Sequence, residues 1–390
     1  VGAASPPQSA PPAAAKAAAA NVEWPQYGGN IAAQRYSPLA QINRDNASRL
    51  EIAWTFNTAN YGPKPEARNE TTPLMIDGVL YTTVGITRNV VAIDPKTGET
   101  LWAWRPNDGE QRFAAAPRKT SGRGLSYWKD GAGSERLFVV TPGFFLVSLD
   151  PATGRQTPGF GENGVVDLMV GVRGAVTDKT SIGNSSPALV IGDVIVVGPA
   201  HEVGMRPPAE TNLKGDVRGF DARTGKLLWT FHTIPAKGEP GYETWLNDSA
   251  ERGSNAGVWG RISGDAELGL VYLPVEAPLA DTYGGERPGT NLYGNSVVCL
   301  DAKTGQKVWH YQLIHHDIWD WDNPTAPILM DLVVDGKPIK AVAQITKQGW
   351  VYTFDRTNGK PVWPIEERAV KAGDVPTEWY SPTQPYPTKP

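Results

Sequence analysis

Apolar and polar residues alternate over short runs along most of this chain, and the runs are broken repeatedly by glycine, proline or small polar pairs. That period-two pattern describes half-buried β-strands joined by tight turns, whereas the 3.6-residue spacing of amphipathic helices is scarce. The stretch TPLMIDGVLYTTVGITRNVVAID (72–94) predicts strand, turn at Asp77-Gly78, strand, loop, strand. An Asp-Gly pair between β-branched runs favours a two-residue hairpin turn, because both central residues must take positive φ. The stretch SSPALVIGDVIVVG (185–198) repeats the pattern with Gly192-Asp193 at the turn.

One unit recurs. AIDPKTGETLW ends at Trp102, GFDARTGKLLW at Trp229, CLDAKTGQKVW at Trp309 and TFDRTNGKPVW at Trp363, and SLDPATGRQT is a degenerate copy without the tryptophan. Each reads as a strand, a turn whose aspartate and threonine satisfy backbone amides and whose glycine admits positive φ, and a further strand. A single copy cannot bury its two faces, so the copies must stack, with each indole free to pack between neighbouring sheets. Strand-rich units of this length predict an all-β propeller with about five blades in this chain.

Composition narrows the function classes. The chain has 390 residues, a net charge of −4 and 40% hydrophobic residues, so a large core is available and no basic field exists to hold nucleic acid. No apolar run is long enough to span a bilayer. The single cysteine, Cys299, rules out an internal disulfide, a CxxC zinc or redox motif and a CxxCH haem attachment, and is expected to be an inert strand residue. Residues 1–21 are rich in alanine and proline and read as a disordered leader or linker; 22–377 carry the propeller blades, and 378–390 read as a Pro-rich tail.

The AxDxxTGxxxW unit resembles the tryptophan-docking repeat of the quinoprotein dehydrogenases, and the opening WPQYGGNIAAQRYSPLAQINRDNASRLEIAWTF (24–56) resembles that family's N-terminal segment, most of all in its glucose-dehydrogenase-like branch. The family is eight-bladed around pyrroloquinoline quinone (PQQ) and a metal ion, so the resemblance implies a chain that stops before the last blades. It also implies oxidation of an alcohol or aldose sugar by base-assisted hydride transfer to the quinone, with electrons passed to a separate quinone or cytochrome. A periplasmic or secreted location, and Ca2+ or another divalent or lanthanide ion as second cofactor, follow from the same resemblance.

The resemblance extends to site residues. GSNAGVWGRISGDAELGLVYLP (253–274) resembles the segment whose tryptophan floors the quinone, giving Trp259. VVGPAHEVG (196–204) gives Glu202 as a carboxylate for the metal, since hard cations take oxygen ligands. Where many members place an asparagine ligand, this chain instead reads Glu276-Ala277. WHYQLIHHDIWDWD (309–322) resembles the catalytic segment and gives Asp320 as the general base, itself beside the metal, with Asp322 as an additional ligand. Three acids and two histidines crowd positions 315–322 among tryptophans, more titratable groups than a solvated loop usually carries. ITKQGWVYTFDR (345–356) gives Lys347, a cation for charge developing on the quinone. SGRGLSYW (121–128) gives Arg123 for the quinone's carboxylates, and GNSSP (183–187) gives Ser185 and Ser186 as further cofactor contacts or simple turn residues. Two other classes remain compatible with the repeat: a cofactor-free propeller scaffold and a glycosidase with paired carboxylates.

Overall fold

The computed structural model describes residues 22–62, 66, 68–177, 179–201 and 213–389. Both hairpins form as the sequence pattern predicts. Ile76 pairs with Val79 across Asp77-Gly78, with φ of 47° and 80° at the two turn residues, and Ile191 pairs with Val194 across Gly192-Asp193. The chain folds into successive antiparallel sheets in sequence order. Four have four strands: Leu74–Ile76, Val79–Val84, Asn89–Ile93 and Thr100–Trp104; Ser126–Lys129, Glu135–Val140, Phe145–Leu149 and Val165–Asp167; Leu189–Ile191, Val194–Val197, Val217–Asp221 and Leu227–Phe231; Ser263–Asp265, Leu270–Pro274, Ser296–Asp301 and Lys307–Gln312. A fifth sheet has three strands, Ile328–Val334, Lys337–Ile345 and Val351–Asp355. Together they form part of an all-β propeller.

The docking of each blade on the next can be read atom by atom. Asp301 accepts the amides of Lys303 and Thr304 and the Thr304 hydroxyl, closing its turn at Gly305, where φ is +69°. Trp229 from the preceding unit lies with its ring against Gly305, where a Cβ would come within 2.5 Å of it, and its Nε1 donates to Ala302 O at 3.0 Å. The same pair of contacts joins Trp54 to Gly98 and Pro95 O, Trp102 to Gly154 and Pro151 O, and Trp309 to Gly359 and Arg356 O. A glycine is therefore required twice over, for the turn and for the indole. Buried cores fill the space between neighbouring sheets; Cys299 sits in one of them with Tyr272, Trp309 and Phe354, and burial raises its thiol far above the ordinary range.

The first strands of successive sheets touch one another, Ser126–Lys129 with Leu189–Ile191, the latter with Ser263–Asp265, and that with Ile328–Val334. They therefore line the axis. The opening segment ties distant blades together near it: Trp24 exchanges backbone bonds with Met75, Ile31 O accepts from Gly264, and Ala32 O accepts from Leu329. Within 378–389, expected to be a tail, Thr383–Pro387 pairs with Ile365–Ala369, and Gln384 exchanges hydrogen bonds with the backbone of His315. Prolines at 385 and 387 are tolerated because an edge strand needs few amides. Among the described residues no helix is long and apolar enough to cross a membrane. The call on residues 1–21 lies outside the described residues.

Candidate functional site

In an antiparallel blade the start of the first strand and the end of the second lie at the same end, so loops at those two places converge near the axis. The site is built from them. Glu70, Arg123, Ser185, Trp259 and the 320–322 segment precede the first strands of the five sheets, while His201, Glu276 and Lys347 follow second strands. These residues, with Arg68, Arg118, Asn255 and Asp281, line one cavity of about 340 Å³.

Its acidic wall is held by a small set of atoms. Lys347 Nζ lies 3.0 Å from Asp322 Oδ2 and 3.2 Å from Asp320 Oδ2, and donates to Asp320 O at 2.8 Å. Asp322 Oδ2 also accepts from Trp259 Nε1 at 3.3 Å, and its Oδ1 accepts from Ala277 N at 2.9 Å. Burial raises the Asp322 carboxyl above its ordinary value, although Lys347 and the Ala277 amide favour the charged form. Burial works against charge on Lys347 too, but the pairs with Asp322 and Asp320 outweigh it and raise its pKa.

The loop carrying Asp320 is fixed from behind. Buried Asp317 accepts the amides of Trp319 at 2.9 Å and Trp321 at 2.8 Å, and the Asn295 side chain at 2.8 Å. Fully buried Arg287 donates to Asp317 O, Leu279 O, Ala280 O and Asn291 Oδ1. Clasped this way, the segment sends Asp320 and Asp322 into the cavity and stacks Trp319 on Trp321, centroids 4.9 Å apart, on its other side. His316 and His315 pair with Glu378 and Glu367.

Guanidinium groups line the cavity as well. Arg123 bonds Ser185 Oγ at 2.6 Å and Ser186 Oγ at 3.4 Å, pairs with Glu70 at 3.3 Å, and its guanidinium carbon lies 5.5 Å from the Trp259 ring centre. Ser186 Oγ donates to Trp259 O at 2.7 Å, so it steadies the loop of the indole. Arg68 and Arg118 line the same cavity, and Arg118 Nε is buried with no hydrogen-bond partner.

The structure thus gathers Trp259, Arg123, Ser185, Asp320, Asp322 and Lys347 around one cavity, with Ser186 one bond behind. Glu202 lies outside the described residues. The sequence reading missed Glu70, Arg68, Arg118, His201 and Asn255. Their common signal is position, at the loops that enter first strands or leave second strands, and it becomes visible only after the repeat is laid out as blades.

These residues fit a flat, carboxylate-bearing ring such as PQQ: an indole on one side, three guanidiniums for carboxylates, and an ammonium above the acids. They also offer a cation oxygen donors, because Glu276 Oε1 is buried with no hydrogen-bond partner next to Asp322. Among the described residues no group of three or more His, Cys, Asp or Glu could hold a metal ion by itself.

A family profile described as glucose/ethanol/alcohol dehydrogenase, PQQ β-propeller domain, matches residues 24–390. The glycerol dehydrogenase large subunit of Gluconobacter oxydans is 35% identical over 98% of this chain and 51% of its own length. The quinoprotein glucose dehydrogenase of Escherichia coli is 31% identical over 97% of this chain and 48% of its own. Among solved structures, the quinohemoprotein alcohol dehydrogenase of Comamonas testosteroni superposes with a TM-score of 0.75 at 26% identity, covering 95% of this chain and 52% of that one. The chain spans about half the length of the curated relatives it matches.

Proposed function

Because the chain belongs to the glucose/ethanol/alcohol dehydrogenase PQQ β-propeller family, we propose that its cavity is a PQQ and metal site at which an alcohol or aldose sugar is oxidised, with electrons passed on to a separate quinone or cytochrome. The observation that carries this reading is the triad of Asp320, Asp322 and Lys347 beside the Trp259 indole. When bound, PQQ supplies the two-electron acceptor, and the metal draws charge toward its carbonyl oxygens.

The chain's own residues do the rest. Trp259 would hold the flat ring, and Arg123, Arg68 and Arg118 would meet its carboxylates. Asp320, with its side chain 46% exposed, stands where a substrate hydroxyl can reach it and takes that proton as the carbon is oxidised. Lys347 bridges the two aspartates and meets negative charge as it develops, a role that needs a fixed ammonium. Asp322, Glu202 and Asp320 offer oxygens to the cation. Glycerol and glucose in the relatives' names favour polyols and aldoses as substrates. A periplasmic or secreted location accords with this cofactor use.

Titration with PQQ in the presence of calcium, followed by quenching of tryptophan fluorescence and by dye reduction with glycerol, glucose and ethanol, tests the proposal. Saturable quenching together with substrate-dependent dye reduction is expected. Full-strength quenching by PQQ of a Trp259→Ala, Lys347→Ala double variant would place the cofactor elsewhere.

A further inference from the structure

Asp320, the base of the reading above, stands on a backbone that local preference does not hold. Its φ is +57°, and four residues earlier His316 has a φ of +50°. Both lie in the left-handed region that residues other than glycine enter only at a cost, and such conformations persist where the surrounding structure over-determines them. On one flank the loop that carries them is bonded to the 281–284 loop, where Asp281 O accepts from Asp320 N at 3.1 Å. Gly284 of that second loop packs so closely on the His316 imidazole that a Cβ there would come within 2.5 Å of Nε2.

One side chain grips both loops. Glu378 comes from the segment after the fifth sheet, and its side chain is 2% exposed. Its Oε2 accepts from Gly284 N at 2.6 Å, while its Oε1 lies 3.0 Å from His316 Nε2 and accepts from Trp379 N at 2.9 Å. Burial opposes charge on this carboxyl, but His316 and the two amides outweigh burial and hold it below its ordinary value. The other side of the imidazole is fixed as well: Nδ1 lies 2.9 Å from Gly289 O, and the Trp379 ring meets it edge-on with centroids 4.9 Å apart.

We propose that Glu378 is a positioning residue for Asp320: by joining the 281–284 loop to His316, it keeps the 316–321 loop in the left-handed pose that turns Asp320 into the cavity and stacks Trp319 on Trp321. The proposal rests on the reading of Asp320 as general base and adds to it the residue that sets its pose. A base misplaced by about 1 Å loses on the order of 100-fold in rate. Trp259 and Arg123 are held through Ser186 and Ser185 instead, so cofactor binding should not follow the loss. Glu378→Gln keeps the size of the side chain. Because Gly284 N and Trp379 N address different oxygens, the amide must turn its NH2 toward one of two donors, and the grip fails on that side.

Two readouts test this. In dye-linked turnover, kcat of Glu378→Gln is expected to fall by about 10- to 100-fold while KM and PQQ quenching stay close to wild type. Without any cofactor, the exciton couplet of the Trp319–Trp321 stack in the circular dichroism spectrum, isolated by subtracting the spectrum of a Trp319→Phe partner, should collapse in the variant. Tyr352→Phe is the control. It removes a hydrogen bond to Pro385 O at 2.9 Å, which loosens the same C-terminal segment away from the loop, and it should keep both kcat and the couplet. Should Glu378→Gln not fold, Glu378→Asp carries the same expectations, because its shorter arm cannot span both loops. A folded Glu378 variant that keeps either kcat or the couplet overturns the proposal, and so do equal losses in Tyr352→Phe, which would make the whole segment a general support. Wild-type chain that turns over no substrate overturns the proposed function instead, and the couplet alone then decides whether Glu378 sets the loop.

Discussion

The ammonium of Lys347 lies 3.0 Å from the inner oxygen of Asp322, the same oxygen that accepts the Trp259 indole N–H. One carboxylate therefore ties the floor of the cavity to its cation, and Lys347, reaching Asp320 as well, sets the spacing of the two acids.

If the proposed function holds, Lys347→Ala removes the charge that would meet developing negative charge in the reaction and lets the aspartates repel each other. Loss of one preorganised donor of this kind costs about 100- to 1000-fold in kcat. Dye-linked turnover at saturating PQQ checks it, and a rate within ten-fold of wild type would take Lys347 out of the chemistry.

Asp320→Asn keeps the size of the side chain and removes its basicity. Turnover should fall by roughly 100- to 10,000-fold while PQQ quenching stays nearly unchanged, because a general base acts in the transition state rather than in cofactor binding. An equal loss in PQQ affinity and in rate would show that Asp320 holds the cofactor instead.

The blade-docking rule predicts a difference between two glycines. Gly305 and Gly336 have φ of +69° and +75°, but only Gly305 has an indole where its Cβ would go, and Gly336 has open space. Gly336→Ala should cost about 1–2 kcal/mol, the strain of a left-handed alanine. Gly305→Ala adds displacement of Trp229 from its core and should cost at least about twice as much, read from urea midpoints. Equal destabilisation would mean that the Trp229 contact contributes nothing to blade docking.

The acid side of the stability profile should respond to His310. Burial first, and then Lys307 beside it, lower its pKa from 6.5 to about 4. A histidine held below its unfolded pKa contributes stability that is fully present above about pH 6.5 and is lost as pH falls toward 4, because the unfolded chain takes up the proton first. The loss is at most about 3 kcal/mol, at about 1.4 kcal/mol per pKa unit. Chemical unfolding at pH 7 and pH 5 should show a smaller drop for His310→Gln than for wild type, and parallel drops would refute the assignment.

Much of the fold was legible in the residues themselves, because it is governed by local physics. The Asp77-Gly78 turn needs only positive φ at neighbouring positions, and the Asp301 to Gly305 turn only a carboxylate among nearby amides. Repetition then fixes which loops fall at one end, and the resemblance of individual segments to family segments nominated Trp259, Asp320, Asp322 and Lys347, which do line one cavity. What the repeat could not state is which side of each loop faces inward. Asp317 shares HHDIWDWD with Asp320, yet it is buried behind the loop, where three donors claim its oxygens. Likewise the sequence marks Glu276 only by its place, where relatives carry an asparagine; the packing of Gly257 and Ala277 around it is what leaves a buried carboxylate oxygen without a partner. Turn chemistry depends on neighbours in sequence, whereas satisfaction of a buried charge depends on every blade that reaches the axis, and only the tertiary structure decides that.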